Sequence, residues 1–160
     1  MSAARKTSKK PTVRRGFTIR IKPADLTPAC RKLYRNAQVV RRNAHAPYSR
    51  FKVGAALRDA RGRIHIGCNV ENASFSGTQC AERTALTAMV TSGCKEFKEM
   101  VIVTDTPHGC PPCGFCRQVM SEFAGNPKET LVHIANLSGV LHTVTLAELL
   151  PHAFDAKYFG

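Results

Sequence analysis

Apolar residues recur at helical spacing in one early stretch and cluster in short runs further on. Leu26, Cys30, Leu33, Ala37 and Val40 stand three or four apart and define one face of a helix within residues 26–44. Thr27 followed by Pro28 reads as its N-cap and first-turn pair. Residues 51–57 (FKVGAAL) predict a strand and 64–70 (IHIGCNV) its neighbour, with the polar turn between them closing a hairpin. The stretch AERTALTAMVTSG predicts a second helix ending at Gly93. A buried-type strand at 100–104 (MVIVT) precedes a third helix at 114–123. Strands at 131–135 and 140–144 and a short helix at 146–150 complete the pattern. Strand and helix alternate through the middle of the chain, which predicts an α/β sheet with helices packed on it.

Composition narrows the class. A chain of 160 residues, 43% of them hydrophobic, suffices for one domain with a sizeable core. No apolar run approaches the ~20 residues of a membrane-spanning helix. Seven cysteines are an odd number, and the opening MSAARKTSKK has no apolar stretch. Both observations argue against a secretory signal and a disulfide scaffold, so the thiols are expected reduced and some of them ligands.

The net charge of +13 is unevenly spread. Residues 1–22 carry eight Lys and Arg and no acid, against 16 bases and 11 acids in the remainder. The chain therefore divides into a basic, disordered-type extension at 1–22 and a folded domain at 23–160. Such an arm suits a nuclear address, a polyanion-binding tail or part of an organelle presequence; a solvated extension without function is equally in keeping with it. Lys9-Lys10-Pro11 interrupts any presequence helix.

Two segments carry candidate chemistry: Cys80-Ala81-Glu82-Arg83 and Pro112-Cys113-Gly114-Phe115-Cys116, each where a loop enters a helix. Cys80, Cys113 and Cys116 supply three thiolates, and helix N-termini favour that anion. Three protein ligands with an open fourth position define catalytic zinc, whereas four make a closed structural site. Zinc lowers the pKa of a bound water from ~15.7 to about 7. Glu82, two residues from Cys80, is placed to move that water's protons, work worth roughly 10²–10⁴-fold. Arg83 is placed to offset the thiolate charge by hydrogen bonding to sulfur, at about 1.5–3 kcal/mol per charged hydrogen bond. Cys110 offers a fourth thiol and hence a closed site, but Pro111-Pro112 forces an extended path after it. A closed site also leaves Glu82 and Arg83 without a purpose. A C-x-E segment followed by P-C-x-x-C matches the zinc-deaminase pattern.

These motifs resemble the zinc-dependent cytidine deaminases, in the short homotetrameric class whose first zinc ligand is Cys. The resemblance runs over roughly residues 26–154 and rests on Phe51-Lys52-Val53-Gly54-Ala55, Asn69-Val70-Glu71-Asn72-Ala73, Cys80 to Ala85, Pro112 to Gln118, and Leu149-Leu150-Pro151 with Phe154. It implies a three-layer α/β/α fold with a mixed central sheet of about five strands. It also implies one Zn2+ per chain, a homotetramer with sites completed by neighbouring subunits, and a cytoplasmic enzyme of pyrimidine salvage acting on cytidine and 2′-deoxycytidine. The arm leaves a nuclear location open. By position, Asn69 and Glu71 match residues that hold the ribose 3′-hydroxyl, Phe51 a pocket aromatic, and Tyr48 a pocket-edge residue. Phe154 matches an aromatic reaching the base from a neighbouring subunit, and Ala81 and Glu82 match the groups that read the pyrimidine. A carboxylate at the sugar repels phosphate, so nucleosides are expected over nucleotides and nucleic acid. Related antibiotic deaminases share the two cysteine motifs, and the residues also admit a polynucleotide editor or a non-catalytic zinc module. Cys30 and Cys68 read as packing residues, Cys94 as exposed, and Cys110 as a pocket-rim thiol. Arg117 and Gln118 read as loop and subunit contacts, and none of the six histidines is assigned to metal.

Overall fold

A computed structural model describes residues 22–159; the basic segment 1–22 falls outside it except for Lys22. The first helix, α1 (Pro28–Arg41), is capped by Thr27, whose hydroxyl oxygen accepts from the Cys30 N–H at 3.2 Å. The hairpin follows as β1 (Gly54–Asp59) and β2 (Ile64–Cys68), and then α2 (Ala81–Thr91) and β3 (Phe97–Val103). The rest of the order is α3 (Gly114–Glu122), β4 (Leu131–Asn136), β5 (Gly139–Thr145) and α4 (Leu146–Leu149). The five strands form one sheet in the order β2-β1-β3-β4-β5. Only β3 and β4 run parallel; the remaining pairs are antiparallel, so the sheet is mixed.

Alternation along the strands builds the two cores. Ala56, Val101, Val103 and Ala135 face α1 and pack against Cys30, Leu33, Tyr34 and Ala37. Their neighbours Ala55, Leu57, Met100, Ile102 and Val132 face the opposite side and meet Ala81, Ala85, Leu86 and Met89 of α2, Met120 of α3 and Leu146 of α4. The fold is thus three-layered, α/β/α. Because both faces of β3 are covered from Met100 to Val103, that stretch is wholly apolar, and each large side chain fully buried there contributes roughly 1.5–3 kcal/mol. Cys94, expected at the surface, is instead buried in the second core, where its thiol donates to the Glu96 carbonyl at 3.5 Å.

β3 begins at Phe97, earlier than the expected 100, and the start of β1 and the end of β2 differ from expectation for one physical reason. Residues 51–53 do not join β1, although their sequence is strand-like. Asn69 replaces the ladder: its Oδ1 accepts from Val53 N–H at 2.8 Å and its Nδ2 donates to the Phe51 carbonyl at 2.8 Å. Accordingly β2 stops at Cys68, and Val70 pairs with Gln79 instead. Short 3-10 turns at Pro23–Asp25, Phe75–Gly77 and Ala156–Phe159 carry no periodic signal that sequence alone would reveal.

A polar row crosses the α1 face of the sheet. Arg58 on β1 pairs with Glu99 on β3 at 3.0 Å; Glu99 bonds His133 on β4 at 2.9 Å, and His133 bonds Thr143 on β5 at 2.8 Å. Burial works to raise the Glu99 pKa, but His133 and Arg58 outweigh it and hold the carboxyl below its ordinary 4.5. A depressed folded pKa means that this stabilisation is fully present above about pH 4.5 and is lost as the pH falls through the folded value. Glu99→Gln is expected to cost on the order of 2 kcal/mol at pH 7 and to lower Tm by roughly 4–8 °C. Its melting temperature should also fall less steeply below about pH 4.5 than that of the parent chain. Parallel acid limbs in the two Tm–pH curves contradict this role for Glu99.

Candidate active site

The N-termini of α2 and α3 converge on one pocket beside β3, which contributes Ile102 to its wall. Cys80 is the N-cap of α2, Cys113 the N-cap of α3, and Cys116 lies in the first turn of α3. The Cys116 backbone N–H donates to the Cys113 sulfur at 3.5 Å. All three sulfurs lie within 4.8 Å of one another. The approach through Pro111 and Pro112 is fixed from behind by Arg117, which donates to the carbonyls of Pro112 at 2.8 Å and Leu149 at 3.1 Å. Gln118 donates to the Phe154 carbonyl at 2.7 Å, so both residues secure loops.

The electrostatics suit a dication. Hydrogen bonding to Cys116, aided by Arg83, brings the Cys80 thiol down to about 5 against the opposing effect of burial. Cys116 is pushed up, because its proton serves the Cys80 thiolate and because it is buried. A metal displacing that proton finds three sulfur donors and, in this cluster, no fourth protein donor among the described residues. This donor set fits tetrahedral Zn2+ with one position open. Cys110 lines the adjacent pocket but is not part of the three-sulfur cluster, and its sulfur contacts the Pro111 carbonyl at 3.6 Å.

Glu82 lies in the first turn of α2, is 5% exposed, and lines the same pocket. Burial, reinforced by the charge on Cys80, pushes its carboxyl up to about 7, where it both takes and gives protons near neutrality. Arg83 follows on the helix. Its Nη2 donates to the Thr78 carbonyl at 2.6 Å and faces the Cys80 sulfur at 3.9 Å. The Phe115 ring centroid lies 4.5 Å from the guanidinium carbon, and the ring covers that group from the solvent side. Nothing in the cysteine spacing singles out Phe115; its place between two ligands is the one sequence signal of proximity.

The pocket has a volume of about 180 Å3. Phe51, Asn69, Glu71, Cys80, Ala81, Glu82 and Cys113 all line it, joined by Ser49, which sequence reasoning did not pick out. Ser49 ties down the Glu71 carboxylate. Its hydroxyl donates to Glu71 Oε1, its backbone N–H donates to Oε2 at 3.2 Å, and the Tyr48 N–H donates to Oε2 at 2.9 Å. The Ser49 hydrogen bond leads the effects that hold Glu71 below the usual carboxylate range, so it is an anion at neutral pH. Asn69 and Glu71 therefore shape the 48–53 loop as well as facing the pocket. The loop includes Arg50 at φ 57°, a left-handed conformation costing a non-glycine residue about 1–3 kcal/mol.

Two sequence-proposed residues, Tyr48 and Phe154, do not line this pocket. Tyr48 is exposed and meets Phe75 edge-on, centroids 5.8 Å apart; only its backbone reaches Glu71. Phe154 is exposed and stacks on Tyr158 at 5.7 Å.

Residues 29–133 match the family model described as the cytidine and deoxycytidylate deaminase zinc-binding region. Among curated relatives, cytidine deaminase of Halalkalibacterium halodurans is 46% identical over 125 residues, covering 78% of this chain and 93% of the relative. That of Sporosarcina psychrophila is 45% identical over 126 residues, covering 79% and 91%. In three dimensions, cytidine deaminase from Burkholderia pseudomallei superposes with a TM-score of 0.73 at 42% identity, over 81% of this chain and 100% of that one. The enzyme from Mycobacterium tuberculosis gives 0.66 at 37% identity, over 78% and 95%. With its fold, its cysteine cluster and these matches in agreement, the chain belongs to the zinc-binding cytidine and deoxycytidylate deaminases.

Proposed function

We propose that this chain hydrolyses cytidine and 2′-deoxycytidine to uridine and 2′-deoxyuridine with release of ammonia, as a cytoplasmic enzyme of pyrimidine salvage. The observation that carries the reading is the placement of a buried Glu82 carboxyl on the same pocket wall as the Cys80 and Cys113 sulfurs, with Cys116 completing their cluster. Those sulfurs hold one Zn2+ per chain, which when bound supplies a water acidic enough to act as nucleophile at neutral pH. Glu82 takes a proton from the attacking water and delivers it to N3 of the cytosine. It then transfers the second proton to the departing amino group, so that water adds at C4 and ammonia leaves. The Ala81 backbone, fully buried at the start of α2, fixes the pyrimidine edge, and the Phe51 ring bounds the base laterally. Arg83 hydrogen bonds to the Cys80 sulfur and lowers the negative charge that three thiolates place on the metal.

At the far end, Asn69 keeps one amide N–H and Glu71 an unfilled lone pair after their loop contacts, a pair suited to a sugar hydroxyl. The Glu71 anion disfavours a 5′-phosphorylated substrate. Cytidine is therefore expected to react at least about a hundredfold faster than cytidine 5′-monophosphate in kcat/KM at equal protein; comparable rates contradict the role given to Glu71.

We assign Phe154 to the base pocket of a neighbouring subunit in a homotetramer. Its exposure, and its place outside the pocket of its own chain, support this. Phe154→Ala should raise KM several-fold with a smaller change in kcat, in line with an aromatic contact of roughly 0.5–1.5 kcal/mol. Cys110 is a bystander to the metal. Cys110→Ser is expected to retain one zinc per chain and activity within about threefold, since a thiol change of this size touches no ligand. Loss of zinc from that variant contradicts the three-sulfur site.

A further inference from the structure

The charge of this chain is segregated in a way that deamination does not use. Residues 1–52 hold 15 Lys and Arg against one acid, Asp25, whereas residues 53–160 hold nine against ten. Nearly all the positive excess therefore belongs to α1, its flanks and the segment before it. Within α1 there is no acidic residue to form the i,i+4 pairs usual on a solvated helix.

The bases on α1 are ordered. At 100° per residue, Arg31, Arg42 and Arg35 fall within about 40° of one another, with Lys32 alongside. Cys30, Leu33, Tyr34, Ala37 and Val40 occupy the opposite side and are buried. Lys32, Arg35 and Arg42 are exposed and pair with no carboxylate among the described residues, whereas Arg41, turned toward the sheet, is matched by Asp105 at 3.4 Å. Arg31 spends its Nη2 on the Ala24 and Leu26 carbonyls at 2.6 and 3.0 Å, and from Lys32 to Arg42 the free bases span roughly 15 Å, enough to lie along several consecutive phosphates of one strand.

We infer that the outer face of α1 is a docking surface for the phosphate backbone of single-stranded nucleic acid, bound without regard to sequence and separately from the nucleoside pocket. Arginine dominates the stripe, and its planar guanidinium matches phosphate in two hydrogen bonds. Val39 is the exposed large apolar residue of this helix, and no exposed aromatic accompanies it there. The face thus offers bases no stacking platform, which makes binding electrostatic and sequence-independent. It also has nothing to insert into a bilayer, because the apolar side of α1 is already spent on the sheet.

The test uses the full chain and a labelled oligouridylate of about 20 nucleotides, read by fluorescence anisotropy at roughly 50 and 200 mM salt. The parent protein should bind, weaken steeply with salt, and ignore replacement by a mixed sequence. The triple variant Lys32→Glu, Arg35→Glu, Arg42→Glu should bind at least about tenfold more weakly with cytidine turnover unchanged, and its slope of log affinity against log salt should drop by about 2 for three lost phosphate contacts. A second triple variant, Arg61→Glu, Lys95→Glu, Lys128→Glu, has the same net charge and should bind like the parent. The inference is overturned by equal losses in the two triple variants, by no loss in the first, or by binding to phosphatidylserine vesicles without binding to the oligonucleotide.

Discussion

Glu82→Gln is expected to keep the fold and one zinc per chain while kcat for cytidine falls by about 10²–10⁴-fold. The amide fills the space of the carboxyl at the first turn of α2, so packing around Ala81 and Ala85 is undisturbed. What it cannot do is carry protons. In the parent chain, burial pushes the carboxyl up from the ordinary carboxylate range, which suits a group that must both take and give a proton. Every proton in the proposed reaction passes through this one group, so no neighbouring residue relieves its loss. Measured against the parent with zinc content checked on both, a variant retaining more than about a tenth of the rate removes Glu82 from the role assigned to it.

Gly67→Ala is expected to damage activity almost as severely from outside the pocket. Gly67 lies on β2 where α2 crosses it, and a Cβ there would sit 2.4 Å from the Ala85 nitrogen and 2.5 Å from the Ala81 carbonyl oxygen. Both are backbone atoms, which cannot swing aside as a side chain would. The helix must back away, and its first turn carries Glu82 with Cys80 just before it. Overpacking of this kind costs typically about 1–3 kcal/mol of stability. A shift of ~1 Å in the catalytic groups costs on the order of 10²-fold in rate. Thermal unfolding by circular dichroism and kcat/KM for cytidine read the two effects separately. Parent-like activity in a folded variant shows that the α2–β2 contact does not position Glu82.

Much of this architecture is legible in the sequence, for reasons that differ by element. The helix α1 shows itself because it buries one regular stripe, and β3 because both its faces are covered. The sheet order and the parallel β3–β4 pair depend on contacts distant in sequence, and local periodicity is blind to them. Residues 51–53 are strand-like in composition yet lie outside β1, because a side chain, Asn69, takes the hydrogen bonds a neighbouring strand would have taken. The cysteines and Glu82 are readable as a group since their spacing sets them at two helix starts. The loop-shaping contacts of Glu71 are not readable, because they depend on how the 48–50 turn folds back on it. Likewise Phe115 gains meaning only with Arg83 beneath its ring.

The rate of cytidine deamination by fully zinc-loaded protein, followed as loss of cytidine absorbance, tests the proposed chemistry most directly. Turnover should disappear when a chelator strips the zinc and return when about one equivalent per chain is restored. A preparation holding one zinc per chain that converts neither cytidine nor 2′-deoxycytidine contradicts the assignment.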